Sequence, residues 1–176
     1  MNAHGLWTSV DASDRRLSDR VRAWAPPRWF CLWMVAATRF GDGPGWAAVG
    51  VGLVAAGPHG RAAAAAGTGA AFLASVVFMA LKRRFRRRRP CDVASHPLFA
   101  VRPPDAFSFP SGHTMNAFAI GTVLALSFPP LAPALAFLAA SVGLSRVVLG
   151  LHYPSDVGVG AMLGTLIGAG AYAGLR

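Results

Sequence analysis

Three stretches of the chain concentrate residues able to bind an anion, give up a proton or attack an electrophile. In the first, residues 82–89, Lys82, Arg83, Arg84, Arg86, Arg87, Arg88 and Arg89 place seven cations in eight positions. The second is Phe109-Pro110-Ser111-Gly112-His113, directly before an apolar run. A hydroxyl residue and a glycine at a helix start leave backbone N–H groups unpaired and pointing outward, and with the helix dipole they form an anion site. Taken alone, Pro-Ser-Gly is also an ordinary turn and cap. The third is Ser145-Arg146, then His152 and Asp156 on either side of the break at Tyr153-Pro154-Ser155. An arginine near the end of an apolar segment is costly and usually functional. An aspartate four residues beyond a histidine can accept its Nδ1–H and leave Nε2 as the nucleophile.

The elements that must position these groups are apolar stretches at 45–57, 62–81, 113–128, 131–144 and 157–175, separated by Pro, Gly or charge. Several approach the roughly 20 residues that cross about 30 Å of hydrocarbon. Gly160, Gly164 and Gly168 recur every four residues in the last stretch, the spacing that lets membrane helices approach closely, within one bundle or against a second copy. The expected fold is all-α, a polytopic transmembrane helical bundle of about five spans with an interfacial amphipathic N-terminal region. It forms one domain over 1–176, with 1–42 interfacial and 43–176 carrying the chemistry. In 14–25, Leu17, Val21 and Trp24 share one helical face while Arg15, Arg16, Asp19, Arg20 and Arg22 take the others. That pattern suits a helix in the headgroup region, or a solvated helix packed on the protein. Residues 28–40 are short for a span and could cross or lie in the interface.

The helix over 62–81 is expected to end at Leu81, because burying seven cations in hydrocarbon would cost on the order of 17 kcal/mol. For most of these arginines the plain reading is a solvated anchor that sets topology. Helix parity then places 82–110, the helix start at Ser111, and Arg146 with His152 on one membrane face.

Composition agrees with a membrane protein. Apolar residues make up 54% and charged residues 14%, with a mean hydropathy of +0.45, which excludes disorder and disfavours an ordinary soluble domain. Seventeen cations against seven acids give a net charge of +10, which suits nucleic acid, phospholipid headgroups or phosphorylated substrates as partners. Cys31 and Cys91 form neither a disulfide framework nor a metal-ligand spacing, and no secretory signal peptide is expected.

Lys82-x6-Arg89-Pro90, Pro110-Ser111-Gly112-His113 and Ser145-Arg146-x5-His152-x3-Asp156 together resemble the three-part signature of the type 2 phosphatidic acid phosphatase superfamily. The resemblance implies that Lys82, Arg89 and Arg146 hold phosphate oxygens, with Ser111 and the backbone N–H of Gly112 completing the cradle. It implies that His152 attacks phosphorus to form a phosphohistidine, Asp156 orients His152, and His113 protonates the leaving oxygen, with no metal or cofactor. Phosphoryl transfer needs positioning and charge neutralisation above all, and guanidinium suits bidentate contact with phosphate. Larger bacterial members have six transmembrane helices, so the first of these is expected to be missing here or replaced by 14–40.

The expected activity is that of an integral membrane lipid phosphatase acting on phosphatidic acid, phosphatidylglycerophosphate or a polyprenyl (di)phosphate. Its partners are membrane lipids and the phosphorylated lipid, not nucleic acid. A haloperoxidase is disfavoured because those members of the superfamily are long soluble chains. The non-enzymatic alternative, an arginine-rich membrane adaptor for anionic lipid or nucleic acid, leaves His113, Arg146, His152 and Asp156 unexplained. With 1–42 on the active-site side, every cation except Arg61 and Arg176 lies there, which points to a cytoplasmic active site in a bacterial-type inner membrane.

Overall fold

Prolines set most of the helix starts in the computed structural model, which describes residues 3–93 and 105–175. Pro44, Pro58, Pro90 and Pro154 each open a helix, where the missing N–H costs nothing and φ is already helical. Gly43 and Gly57, at φ 121° and 100°, make the turns before two of them. The helices are α1 (Ala3–Ala23), α2 (Arg28–Gly41), α3 (Pro44–Ala55), α4 (Pro58–Phe85), the short α5 (Pro90–Val93), α6 (Gly112–Ser127), α7 (Ala132–Val148) and α8 (Pro154–Ala173), with a 3-10 turn at Pro129–Leu131. Arg102 and Arg176, which entered the charge tally, lie outside the described residues.

Three segments are long and apolar enough to cross a membrane, Pro58–Asp92, Pro129–Val148 and Pro154–Ala173. α3 is apolar but has 12 residues, and α6 has 16, or about 24 Å at 1.5 Å per residue. The fold is therefore the expected all-helical membrane bundle, with five as an approximate span count.

α6 is its hub. Met115, Ala119 and Val123 pack with Ala70 and Ala74 of α4. Ala117 and Leu124 pack with Trp46, Ala63, Ala139 and Val142. The glycine stripe of α8 also lies on α6 and not on a second copy: a Cβ at Gly164 would sit 2.3 Å from the Met115 carbonyl oxygen, and one at Gly168 would sit 2.4 Å from that of Ala119. Val51, Phe72, Leu73, Phe137, Met162 and Leu166 are exposed around the bundle, where lipid would cover them.

Two details of the expected elements change. α4 runs past Leu81 to Phe85, ending where Arg86 turns left-handed at φ 47°. Lysine and arginine are good helix formers and their charge suits a helix C-terminus, so the basic run extends the helix before it stops it. α1 packs through its polar face: Asp14 and Ser18 are buried, while Leu17 and Trp24 are exposed. α2 lies along α7, with Met34 against Val148, Leu149 and Leu151 and Trp33 stacked on Phe137.

Candidate active site

The last turns of α4 and α7, the first turns of α6 and α8, and the loops beside them meet at one end of the bundle. Lys82 is in the last turn of α4, and Arg89 follows just after it. Ser111 is the N-cap of α6, with Gly112 and His113 opening that helix. Arg146 closes α7, His152 lies in the loop after it, and Asp156 is in the first turn of α8. The residues singled out from the sequence thus come together as the parity argument requires. All are buried except His113, which keeps partial access.

His152 is the centre. Its Nδ1 donates to the Ser108 carbonyl at 2.7 Å, and its Nε2 accepts from Arg89 Nη1 at 3.0 Å. A carbonyl can only accept and a guanidinium only donate, so the proton belongs on Nδ1 and the lone pair on Nε2. Burial first, then the charges of Arg89, Arg146 and Lys82, hold the imidazole well below its usual pKa, which keeps it neutral. The Nδ1 hydrogen bond expected to end on Asp156 therefore ends on Ser108. Asp156 stands beside it with Oδ2 at 3.6 Å, and that oxygen takes the Tyr153 N–H at 2.8 Å.

Three cations surround the His152 imidazole. Arg89 and Arg146 are among the largest fully buried side chains of the protein, and Lys82 is buried with them. Arg146 Nη1 bonds the hydroxyl of Thr38 on α2, while its buried Nε has no partner. Asp105 accepts from Lys82 Nζ at 2.6 Å and from Arg89 Nη2 at 2.8 Å. Burial would raise the Asp105 carboxyl, but the hydrogen bonds and the positive charges of Lys82 and Arg89 together outweigh it and hold its pKa at about 2. Asp105 is the only carboxylate paired with the three cations among the described residues, so Arg146 has no carboxylate partner and three cations against one carboxylate leave a net charge of +2.

The second motif frames the cradle. The Ser111 N–H donates to the Asp156 carbonyl at 3.1 Å, tying α6 to α8, and its hydroxyl caps Thr114. A Cβ at Gly112 would lie 3.1 Å from three atoms of the Phe78 ring, so glycine lets α6 start against α4, one turn before Lys82. His113 donates from Nε2 to Asp42 Oδ1 at 2.6 Å.

Sequence reasoning missed Thr38, Asp42, Asp105, Ser108 and Arg87. Asp42 lies in a Gly- and Pro-containing break with no motif around it, and nothing local marks Thr38, which is 108 residues from Arg146. Arg87 had been grouped with the solvated arginines, yet its side chain is 8% exposed and pairs with Asp11, Asp14 and Asp156.

Residues 47–176 match the PAP2 superfamily. The chain belongs to that family. It is 40% identical over 128 residues to the decaprenylphosphoryl-5-phosphoribose phosphatase of Mycolicibacterium smegmatis, covering 71% of this chain and 68% of the relative. The Mycobacterium tuberculosis enzyme of the same name is 41% identical over 110 residues, and the chain spans 56% of its length, against 59% of its own. Among solved structures, LpxE of Aquifex aeolicus superposes with a TM-score of 0.77 at 26% identity, over 90% of this chain and 93% of that one. The transmembrane PAP2 type phosphatidylglycerolphosphate phosphatase of Bacillus subtilis gives 0.72 at 25%, over 94% and 85%. The PAP2 match begins at residue 47, so α1, α2 and Asp42 lie outside it.

Proposed function

We propose that this PAP2 protein is an integral membrane phosphatase that hydrolyses a lipid phosphomonoester or diphosphate through a phosphohistidine. The observation that carries the reading is the trio Lys82, Arg89 and Arg146, buried around the Nε2 lone pair of His152 with Asp105 as their one paired carboxylate among the described residues, a net excess of two positive charges. Buried charge requires a partner, and a phosphate monoester brings about −1.5 to −2 at pH 7.

A phosphate seated among the three cations, with Ser111 and the Gly112 N–H on its remaining oxygens, presents phosphorus to Nε2. The lone pair forms the N–P bond as the P–O bond to the lipid breaks, and His113 delivers a proton to the departing oxygen. Water then attacks the phosphohistidine, gives a proton back to His113, and releases inorganic phosphate as the N–P bond breaks. The cations stabilise the charge that spreads over the equatorial oxygens in both steps. The decaprenylphosphoryl-5-phosphoribose phosphatases and the phosphatidylglycerolphosphate phosphatase named above carry lipid phosphates in their names, which supports a lipid phosphate as substrate here. Phosphate release from decaprenyl phosphate, phosphatidic acid and phosphatidylglycerophosphate in detergent tests the reading. Turnover of at least one, persisting in EDTA and inhibited by vanadate, is expected; release from none would refute it. A polyanion-binding adaptor would instead show lipid or nucleic-acid binding that weakens steeply with salt.

Asp105 occupies two of the three cations that a phosphate needs, so substrate must displace it. Asp105→Asn is expected to tighten vanadate inhibition about fivefold, in line with the ~1 kcal/mol of a partly exposed ion pair. Unchanged or weaker inhibition would mean that Asp105 sets the cations in place and does not compete. The excess of cations at this end of the bundle supports a cytoplasmic active site in the inner membrane. A cysteine in the Pro129–Pro130 turn, in a Cys31→Ser, Cys91→Ser background, should react with an impermeant thiol reagent in intact cells; reaction only after permeabilisation would place the site outside.

A further inference from the structure

The Nδ1 edge of His152 faces two groups, the Ser108 carbonyl at 2.7 Å and Asp156 Oδ2 at 3.6 Å, and one residue fixes both. The Arg87 carbonyl accepts the Ser108 N–H at 2.8 Å, and Arg87 Nη1 donates to Asp156 Oδ1 at 2.8 Å and to Ser155 Oγ at 2.9 Å. Neighbouring Arg88 adds its carbonyl to the Ser108 hydroxyl at 3.2 Å.

The Arg87 side chain is itself held from the far side by α1. Nη2 donates to Asp14 Oδ2 at 2.8 Å and Asp11 Oδ1 at 2.9 Å, and the guanidinium lies over the Tyr153 ring at 4.1 Å. Asp14 also accepts the Ser155 N–H at 3.0 Å, so α1 grips both Arg87 and the start of α8. A planar fork with donors on two edges can bridge Asp156 and the α1 carboxylates at once, which a lysine cannot. Asp156 is fully buried, and Arg87 supplies its charge partner.

We infer that Arg87 is a positioning residue for the reaction: its side chain fixes Asp156, its backbone fixes Ser108, and α1 locks it in that pose, so that the His152 ring presents Nε2 to phosphorus. The inference rests on the assignment of His152 and Asp156 above. Arg87 touches no phosphate oxygen in this scheme, so its loss acts on kcat and spares KM.

The test is a double-mutant cycle on phosphate release from phosphatidic acid micelles, using Arg87→Lys, Asp156→Asn and the pair. Arg87→Lys should lower kcat about 10- to 100-fold, the range of groups that orient a functional side chain, with KM within about threefold and a melting temperature near that of the parent. The double variant should be no slower than Asp156→Asn alone, because both changes break one link. Multiplied losses, or a loss in KM alone, would overturn the inference and leave the site assignment standing. Full activity in Asp156→Asn and His152→Ala would instead overturn that assignment. If Arg87→Lys does not fold, Asp14→Asn takes its place in the same cycle, with the same non-additivity expected and additivity fatal.

Discussion

His152→Ala is expected to lower kcat by at least about 10⁴-fold, the scale on which removing a covalent nucleophile acts, or more than about 5 kcal/mol of barrier. The loss follows from geometry: among the described groups, Nε2 of His152 is the lone pair facing Arg89 and the neighbouring cations. The surrounding trio would still bind phosphate, so vanadate or substrate should protect the variant against thermal unfolding as it protects the parent. An acid-labile phosphoryl adduct should form on the parent during turnover and be absent from the variant. Residual turnover above a hundredth of the parent would refute the phosphohistidine route. The same environment sets the pH response. The imidazole pKa lies well below 6.5, so the neutral, nucleophilic form persists as pH falls through 6.5. The His152 limb of the kcat/KM profile should therefore fall on the acid side of that value.

The second large effect is structural. Gly164→Val should destabilise the bundle by about 3 kcal/mol or more, the upper range for overpacking a tight contact, and abolish activity with it. At Gly164 the obstacles are the Met115 carbonyl oxygen at 2.3 Å, Phe118 Cβ at 3.0 Å and the Ala119 nitrogen at 3.1 Å, and two of these are backbone. Backbone cannot rotate aside, so α6 and α8 must separate. They carry Ser111 and His113 on one side and Asp156 on the other, and the Ser111 to Asp156 hydrogen bond would break with them. Gly170→Val is the control, since nothing lies within 4 Å of a Cβ there. Thermal unfolding in detergent should show a fall of several degrees for Gly164→Val and little change for Gly170→Val. Equal melting temperatures would show that α8 does not pack on α6 through this stripe.

The membrane bundle and the motif residues could be read from the sequence because both rest on local or periodic features. Long uncharged runs favour helices across lipid, and the alternation of their directions brings Lys82, Arg89, Ser111, Arg146 and His152 to one end whatever the details of packing. The end of α4 could not be read the same way. Charge argues for leaving the membrane at Leu81, whereas helix propensity and the dipole carry the backbone on to Phe85, and only the folded chain weighs the two. Ser108 was invisible for a different reason, since its function is a backbone carbonyl, which any residue possesses.

By itself, then, the sequence determined the all-helical membrane class and the three-part signature of the family, since spacing along helices is a one-dimensional property; the roles proposed for the nucleophile, proton donor and phosphate ligands follow from that resemblance. Tertiary structure decided which arginine of an almost uniform run faces inward, which carboxylates answer Lys82, Arg87 and Arg89, and that the glycine stripe of α8 closes on α6. Arg86, Arg87 and Arg88 are alike in composition and context. The rotation of the chain after the left-handed Arg86 turns Arg87 toward Asp11, Asp14 and Asp156, which lie 76, 73 and 69 residues away in sequence. Contacts at that separation depend on helix rotation and loop path, and neither is written in residue spacing.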